Sequence, residues 1–275
     1  MSKFIIKTVG NVLNATSLVS SKYASEKALQ LFASPRQGSY TETQLNLIKD
    51  AKQKVFEHES IKITTYHWKG KGKTILLAHG WESNSSRWNY ILNDFKAEDY
   101  NIIALDAPAH GQSTGRFFTA ILYSDCIAKV ANHFKPNVII GHSVGGMASI
   151  FSLYDNDLPF VDKIISMGAP AHFKGVFTRY KSMMGYNRRI SKGLDKIVLE
   201  RYGQPIEYFS AAEFTRKINA EGLIVHDKKD RIIPYEDAQL FDNRYKNSKL
   251  ITTEGFGHSL IDKSLTPQII EFINN

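Results

Sequence analysis

Three places along the 275-residue chain carry residue types that could do chemistry together. Ser143 sits in Gly141-x-Ser143-x-Gly145, with the apolar run NVII before it and the helix-like VGGMASIFSLY after it. Asp227 and Asp230 close the apolar run of EGLIVHDKKDRIIP, and His258 lies in the glycine-bearing stretch TTEGFGHSL. A serine hydroxyl is a weak nucleophile until a base takes its proton, and an imidazole base needs a carboxylate to hold its tautomer. Serine, carboxylate and histidine in this chain order therefore suit nucleophilic acyl chemistry, provided the fold brings the three loops together. Spacing alone leaves both carboxylates open as the partner of His258.

The elements that must position these residues can be read from the pattern of apolar runs. KTILLAH (73–79), YNIIALDA (100–107), NVIIGHS (137–143), DKIISMGA (162–169), EGLIVHD (221–227) and SKLITTE (248–254) are short and rich in Ile, Val and Leu. They lack polar alternation, as expected of strands covered on both faces. KVFEHES and IKITTYHW read as a hairpin turning near Ser60, and RWNYILNDFKAE, TAILYSDCIAKVANHF and EDAQLFDNRYK have helical length. Alternating strands and helices predict an α/β fold, a mainly parallel central sheet with helices on both faces. The serine then falls on a sharp strand-to-helix turn, which requires residues without bulk two before and two after it.

Two segments fall outside this alternation. About 50 residues between SMGAP and GLIVHD exceed an ordinary crossover, so a small helical lid is expected after the sixth strand, over 171–220. Its Phe173, Phe177, Tyr180, Met183, Met184 and Tyr186 suit either an apolar roof for an acyl chain or the packing of the lobe itself. Residues 1–50 read as an N-terminal helical extension, leaving 51–170 and 221–275 as the core. Ile5, Val9, Val12, Thr16 and Val19 recur at near-helical spacing there, and Lys3, Lys7 and Lys22 suit a packed arm, a membrane-surface anchor or a weak export signal.

Five segments in order, LLAHGWESNSSRW, DAPAHGQS, GHSVGG, HDKKDRIIP and GFGHS, resemble those of the α/β-hydrolase family, and the resemblance covers about residues 55–275. It implies Ser143 as nucleophile, His258 as general base and Asp230, shortly before IIP, as the orienting acid. Asp227 then caps the strand end or turn. It also implies an oxyanion hole made by the backbone N–H groups of Trp81 and Val144, and a carboxylic ester or related acyl bond as the target. Acyltransferase, thioesterase or peptidase chemistry, or a binding protein with the same fold, are its alternatives. The HGGG form of some lipases is absent. His79 and His142 are expected to brace their loops, and Asp106 and His110 to hold the DAPAHGQS loop together.

Composition narrows the remaining choices. The histidines show no zinc-like spacing, and neither a metal nor a redox cofactor is expected. The single Cys126 excludes an internal disulfide and suits a reducing, cytoplasmic setting. No apolar run reaches the roughly 18 residues of a membrane span. Net charge is +8, with ten Lys and Arg against five Asp and Glu in residues 1–70 and ten against four in 171–220. With no zinc finger, RNP-like aromatic motif or long basic run, a solvated basic face and a small-molecule substrate are expected, and no nucleic acid. The basic lobe suggests an anionic substrate or surface.

Overall fold

The computed structural model describes residues 3–275, without the side chain of Lys3. Met1 and Ser2 of the expected extension, and the Lys3 side chain expected in its basic face, lie outside the described residues. In chain order the elements are α1 (Lys3–Val19), α2 (Ser21–Ala33), α3 (Glu42–Ile48), β1 (Lys52–His58), β2 (Ile61–Trp68) and β3 (Thr74–Ala78). A 3-10 turn (Ser85–Trp88) leads into α4 (Asn89–Ala97), β4 (Asn101–Leu105), α5 (Ala120–Phe134), β5 (Val138–His142), α6 (Val144–Asp155) and β6 (Lys163–Met167). Then follow α7 (Phe173–Met184), α8 (Arg188–Tyr202), α9 (Ala211–Phe214), β7 (Glu221–Asp227), α10 (Glu236–Arg244), β8 (Ser248–Thr253) and α11 (Leu265–Asn274).

The eight strands form one sheet in the order β1-β2-β4-β3-β5-β6-β7-β8. From β4 to β8 every pair is parallel, while β1 and β2 join antiparallel at one edge. The expected hairpin is β1–β2, its two-residue turn at Glu59 and Ser60. Alternate residues of each central strand serve opposite cores. Ile75, Leu77, Val138 and Ile140 meet Phe95 of α4 and Ile269 and Phe272 of α11 on one face. Leu76, Ala78 and Ile139 meet Tyr123, Ile127 and Val130 of α5 on the other. Burial on both faces explains why these strands read as continuous apolar runs. Cys126 is buried in the second core, where burial pushes its thiol up to about 12.

The chain divides into two compact units, residues 1–34 with 172–210 and residues 35–171 with 211–275. These limits differ from the expected ones at 50, 170 and 220 for a packing reason. Ile48 of α3 is buried in the sheet's core, and Phe214 of α9 stacks on Tyr154 of α6 with ring centroids 3.9 Å apart. In the smaller unit, Phe177 is buried and Phe32 of α2 packs against Phe173, Phe177 and Tyr180. These lobe aromatics thus help to build the unit's own core. Gly185 and Gly203, both at positive φ, end α7 and α8 as left-handed caps. No helix of the described residues is long and apolar enough to cross a membrane.

Candidate active site

The strand order reverses between β3 and β5: from β3 the chain steps to β4 on one side, then crosses to β5 on the other. In open α/β sheets the crevice outside the strands' carboxyl ends at such a point is the usual binding place. Trp81 follows β3 there and Ser143 follows β5. The turn at Ser143 is as tight as its sequence requires. Its backbone has φ 53° and ψ −127°, a costly conformation for a residue with a side chain. A Cβ on Gly145 would fall 2.3 Å from the Ala78 carbonyl oxygen, and one on Gly141 2.5 Å from Gly146 Cα. A Cβ on Gly80 would fall 2.9 Å from that of Ser143, so the segment leading to Trp81 runs directly against the serine.

The three loops expected to converge do so. His258 Nε2 stands 3.0 Å from Ser143 Oγ, and His258 Nδ1 stands 2.7 Å from Asp230 Oδ2. Burial raises the proton affinity of Asp230, but hydrogen bonds from His226, His258 and the Ile233 and Ile232 amides outweigh it and hold the carboxyl well below the usual range. An ionised Asp230 can only accept, so Nδ1 carries the hydrogen and the Nε2 lone pair faces the serine hydroxyl. Ser143 is 8 % exposed and the Asp230 side chain is buried.

The two carboxylates left open by the sequence have separate partners. Asp227 Oδ2 accepts from Phe256 N and Thr253 Oγ1, each at 2.8 Å, and its Oδ1 accepts from Lys229 N at 2.8 Å. It thereby ties the loop after β7 to the loop that carries His258. Burial acts to raise Asp227 as well, and these hydrogen bonds reverse the balance and lower it.

The segment at Trp81 is braced by histidines. His79 Nε2 accepts from Ala107 N at 2.9 Å, so its Nδ1–H donates to the Gly80 carbonyl at 2.7 Å. Burial, with His110 nearby, pushes His79 down to about 3. His110 accepts from Glu82 N at 3.0 Å and donates to the Pro108 carbonyl at 2.8 Å. Asp106, fully buried and raised by that burial, gathers the hydroxyls of Tyr40, Tyr66 and Ser85 and the amides of Ser85 and Gln112. Among the described residues neither the Trp81 nor the Val144 N–H is used as a donor. Val144 is the first residue of α6, where helix N–H groups lack intrahelical acceptors and the dipole favours negative charge. The Trp81 indole packs edge-on to His110 and Phe118.

Sequence reasoning missed two residues that brace the loops of the site, Arg87 and His226. Arg87 Nη1 donates to His142 Nδ1 at 3.0 Å, and Nη2 donates to the Ser259 carbonyl at 2.9 Å. With Nδ1 accepting, His142 Nε2–H donates to the His258 carbonyl at 2.8 Å. Burial, Arg87 and His258 together depress His142 well below the ordinary imidazole value, and burial lowers Arg87 to about 10. His226, buried beneath Asp230, lies 3.5 Å from Oδ2 and 3.1 Å from the Ile233 carbonyl. Both lie inside quoted segments, LLAHGWESNSSRW and HDKKDRIIP, but the resemblance assigns neither a role. Arg87 meets its partners only through the apposition of loops distant in sequence, whereas those of His226 lie four and seven residues on, in the loop that follows it.

A family model, the alpha/beta hydrolase family, matches residues 75–262. The chain belongs to this family. It is 26 % identical over 235 residues to the bifunctional esterase/perhydrolase DCH of Acinetobacter calcoaceticus, covering 68 % of this chain and 85 % of that protein. Among solved structures it is similar to the esterase EaEST of Exiguobacterium antarcticum, with a TM-score of 0.66 at 20 % identity over 82 % of this chain and all of that one. The thioesterase domain from the curacin biosynthetic pathway superposes with a TM-score of 0.60 at 15 % identity, over 82 % and 99 % of the two chains. Membership and relatives together support a hydrolase.

Proposed function

We propose that this protein is a cofactor-independent serine hydrolase that cleaves a carboxylic ester, or a close acyl relative, through an acyl-enzyme. The observation that carries the reading is the relay Ser143 Oγ, His258 Nε2, His258 Nδ1, Asp230 Oδ2, with separations of 3.0 and 2.7 Å, built at the apex of a strained elbow. Ser143 Oγ bonds to the carbonyl carbon while His258 Nε2 takes its proton. The carbonyl π pair moves onto oxygen, opposite the free N–H groups of Trp81 and Val144. Collapse expels the alcohol, which receives the proton from Nε2. Water, deprotonated by the same nitrogen, then attacks the acyl carbon, releases the acid and restores Ser143. Asp230 stays ionised and stabilises the imidazolium that forms in each half.

Fluorophosphonate labelling read by intact mass tests this reading. One adduct on the native chain, absent from Ser143→Ala and strongly slowed in His258→Ala, is expected. An unlabelled native chain, or an adduct that persists in Ser143→Ala, would exclude it. A panel of esters, thioesters and aminoacyl amides then assigns the acyl class; the esterase named among the relatives favours turnover of the esters.

A further inference from the structure

Helix α1 shows apolar side chains on its outward face as well as on its inward one. A helix at a protein surface normally turns its apolar stripe inward and its polar face to water. Here the inward face buries Leu13 beside Ser17 and makes several polar contacts, while a second apolar stripe faces outward. Asn14 Nδ2 donates to the Gly185 carbonyl at 2.8 Å, and Asn14 Oδ1 accepts from Asn187 N at 2.8 Å. Asn187 Nδ2 in turn donates to Ser17 Oγ at 2.9 Å. Gly10 lies beside them, so close to α7 that a Cβ would collide with the Met184 carbonyl. On the opposite face Phe4, Val12 and Val19 are 79, 60 and 94 % exposed. Thr8 and Thr16 turn their hydroxyls back to the Phe4 and Val12 carbonyls at 2.9 Å, which satisfies the groups that would otherwise seek water.

Charge points to what meets this face. Residues 1–34 and 172–210 hold twelve Lys and Arg against four Asp and Glu, a net +8. The whole chain holds 35 against 27, also +8, so the other unit balances at 23 against 23. The acids of 172–210 are already engaged, Glu207 by Lys174, Asp195 by Lys181 and Glu200 by Lys196. Lys7, Lys22, Arg188, Arg189 and Lys192 are exposed, with no ion pair among the described residues. We propose that the outward face of α1, with these cations, docks on an anionic phospholipid surface, the helix lying in the interface plane. Apolar insertion and attraction to anionic headgroups reinforce each other in such binding. A second copy fits less well, because it would bring an equal +8 against the first.

The test is flotation of the full chain with vesicles of phosphatidylcholine alone and of phosphatidylcholine mixed with phosphatidylglycerol, at low and high salt. Binding to the mixed vesicles, weakened by salt and by about tenfold or more on plain phosphatidylcholine, is expected from the loss of several lysine and arginine contacts. Val12→Asp with Val19→Asp, both at exposed positions, should abolish it. Lys22→Glu with Arg188→Glu should weaken binding to the mixed vesicles alone. Circular dichroism and unchanged fluorophosphonate labelling check that each variant is folded, and they keep this inference separate from the proposed reaction. No flotation of the native chain, or flotation that the aspartates leave unchanged, overturns it. So does self-association, seen by light scattering and abolished by the aspartates, in a chain that does not float.

Discussion

Asp227 and Asp230 stand three residues apart on one loop, yet their oxygens face different partners. Asp230 reaches an imidazole, whereas Asp227 collects loop donors. On the proposed reading Asp230→Asn removes the ionised acceptor and lets the imidazole take the wrong tautomer. A fall in kcat of about 10³ to 10⁴ with little change in KM is expected, measured on the best ester of the panel. Asp227→Asn should cost stability through the loss of charge-assisted bonds and reduce kcat far less, which thermal melts beside the same assay would separate. Arg87 should act through the loop carrying His258, since it holds the Ser259 carbonyl directly and the His258 carbonyl through His142. Arg87→Ala is therefore expected to lower kcat by about 10-fold or more while KM holds, because small misplacements of a base are costly. Equal labelling rates in the native chain and the variant would refute that role. The candidate residues were legible because their loops follow apolar runs, but no spacing in sequence couples Arg87 to His142.

At the scale of elements, the turn from β5 to α6 concentrates both strain and crowding. Ser143 holds a positive φ because the helix must start at once, and Gly145 lets that helix pass the end of β3. Gly145→Ala would set a methyl against the Ala78 and His79 carbonyls, at 2.3 and 2.5 Å before relaxation. Backbone cannot yield as a flexible side chain does, so a loss of about 1–3 kcal/mol and slower labelling of Ser143 are expected, checked by urea unfolding and by the fluorophosphonate rate. A variant as stable and reactive as the native chain would contradict the crowding argument. The expected strands, from KTILLAH to SKLITTE, all recur in the sheet; burial on both faces made those from β3 to β7 continuous apolar runs, while the edge strand β8 is only partly buried. The first helices were harder to read. α1 and α2 are separated at Ser20, which caps α2, and the apolar spacing of α1 does not reveal which face turns inward.

Taken as a whole molecule, the fold buries several imidazoles in neutral form around one end of the sheet. His79, His142 and His110 are all shifted down, chiefly by burial, and His79 reaches about 3. In the unfolded chain each takes a proton near the ordinary imidazole value of about 6.5. Since the folded values are lower, acid favours unfolding. The contribution is complete above about pH 6.5 and is lost progressively as pH falls toward the folded values. For His79 alone the loss by about pH 5 comes to roughly 2 kcal/mol, so Tm should drop by on the order of 5 °C between about pH 7 and about pH 5. A Tm that stays flat over that interval would show that these rings are not held neutral.

Sequence alone was enough for the α/β architecture, the order of serine, acid and histidine, and the glycines of the elbow. These depend on local chemistry, namely apolar runs, turn sterics and the residue types a nucleophile requires. Tertiary structure decided which aspartate faces His258, how Arg87 and His142 hold the loop beyond it, and where the compact units divide. It also turned Leu13 and Ser17 of α1 inward while leaving Phe4, Val12 and Val19 outward. Each of these is settled by groups distant in the chain competing for one donor, one acceptor or one buried surface, and such competition leaves no periodic trace in the sequence.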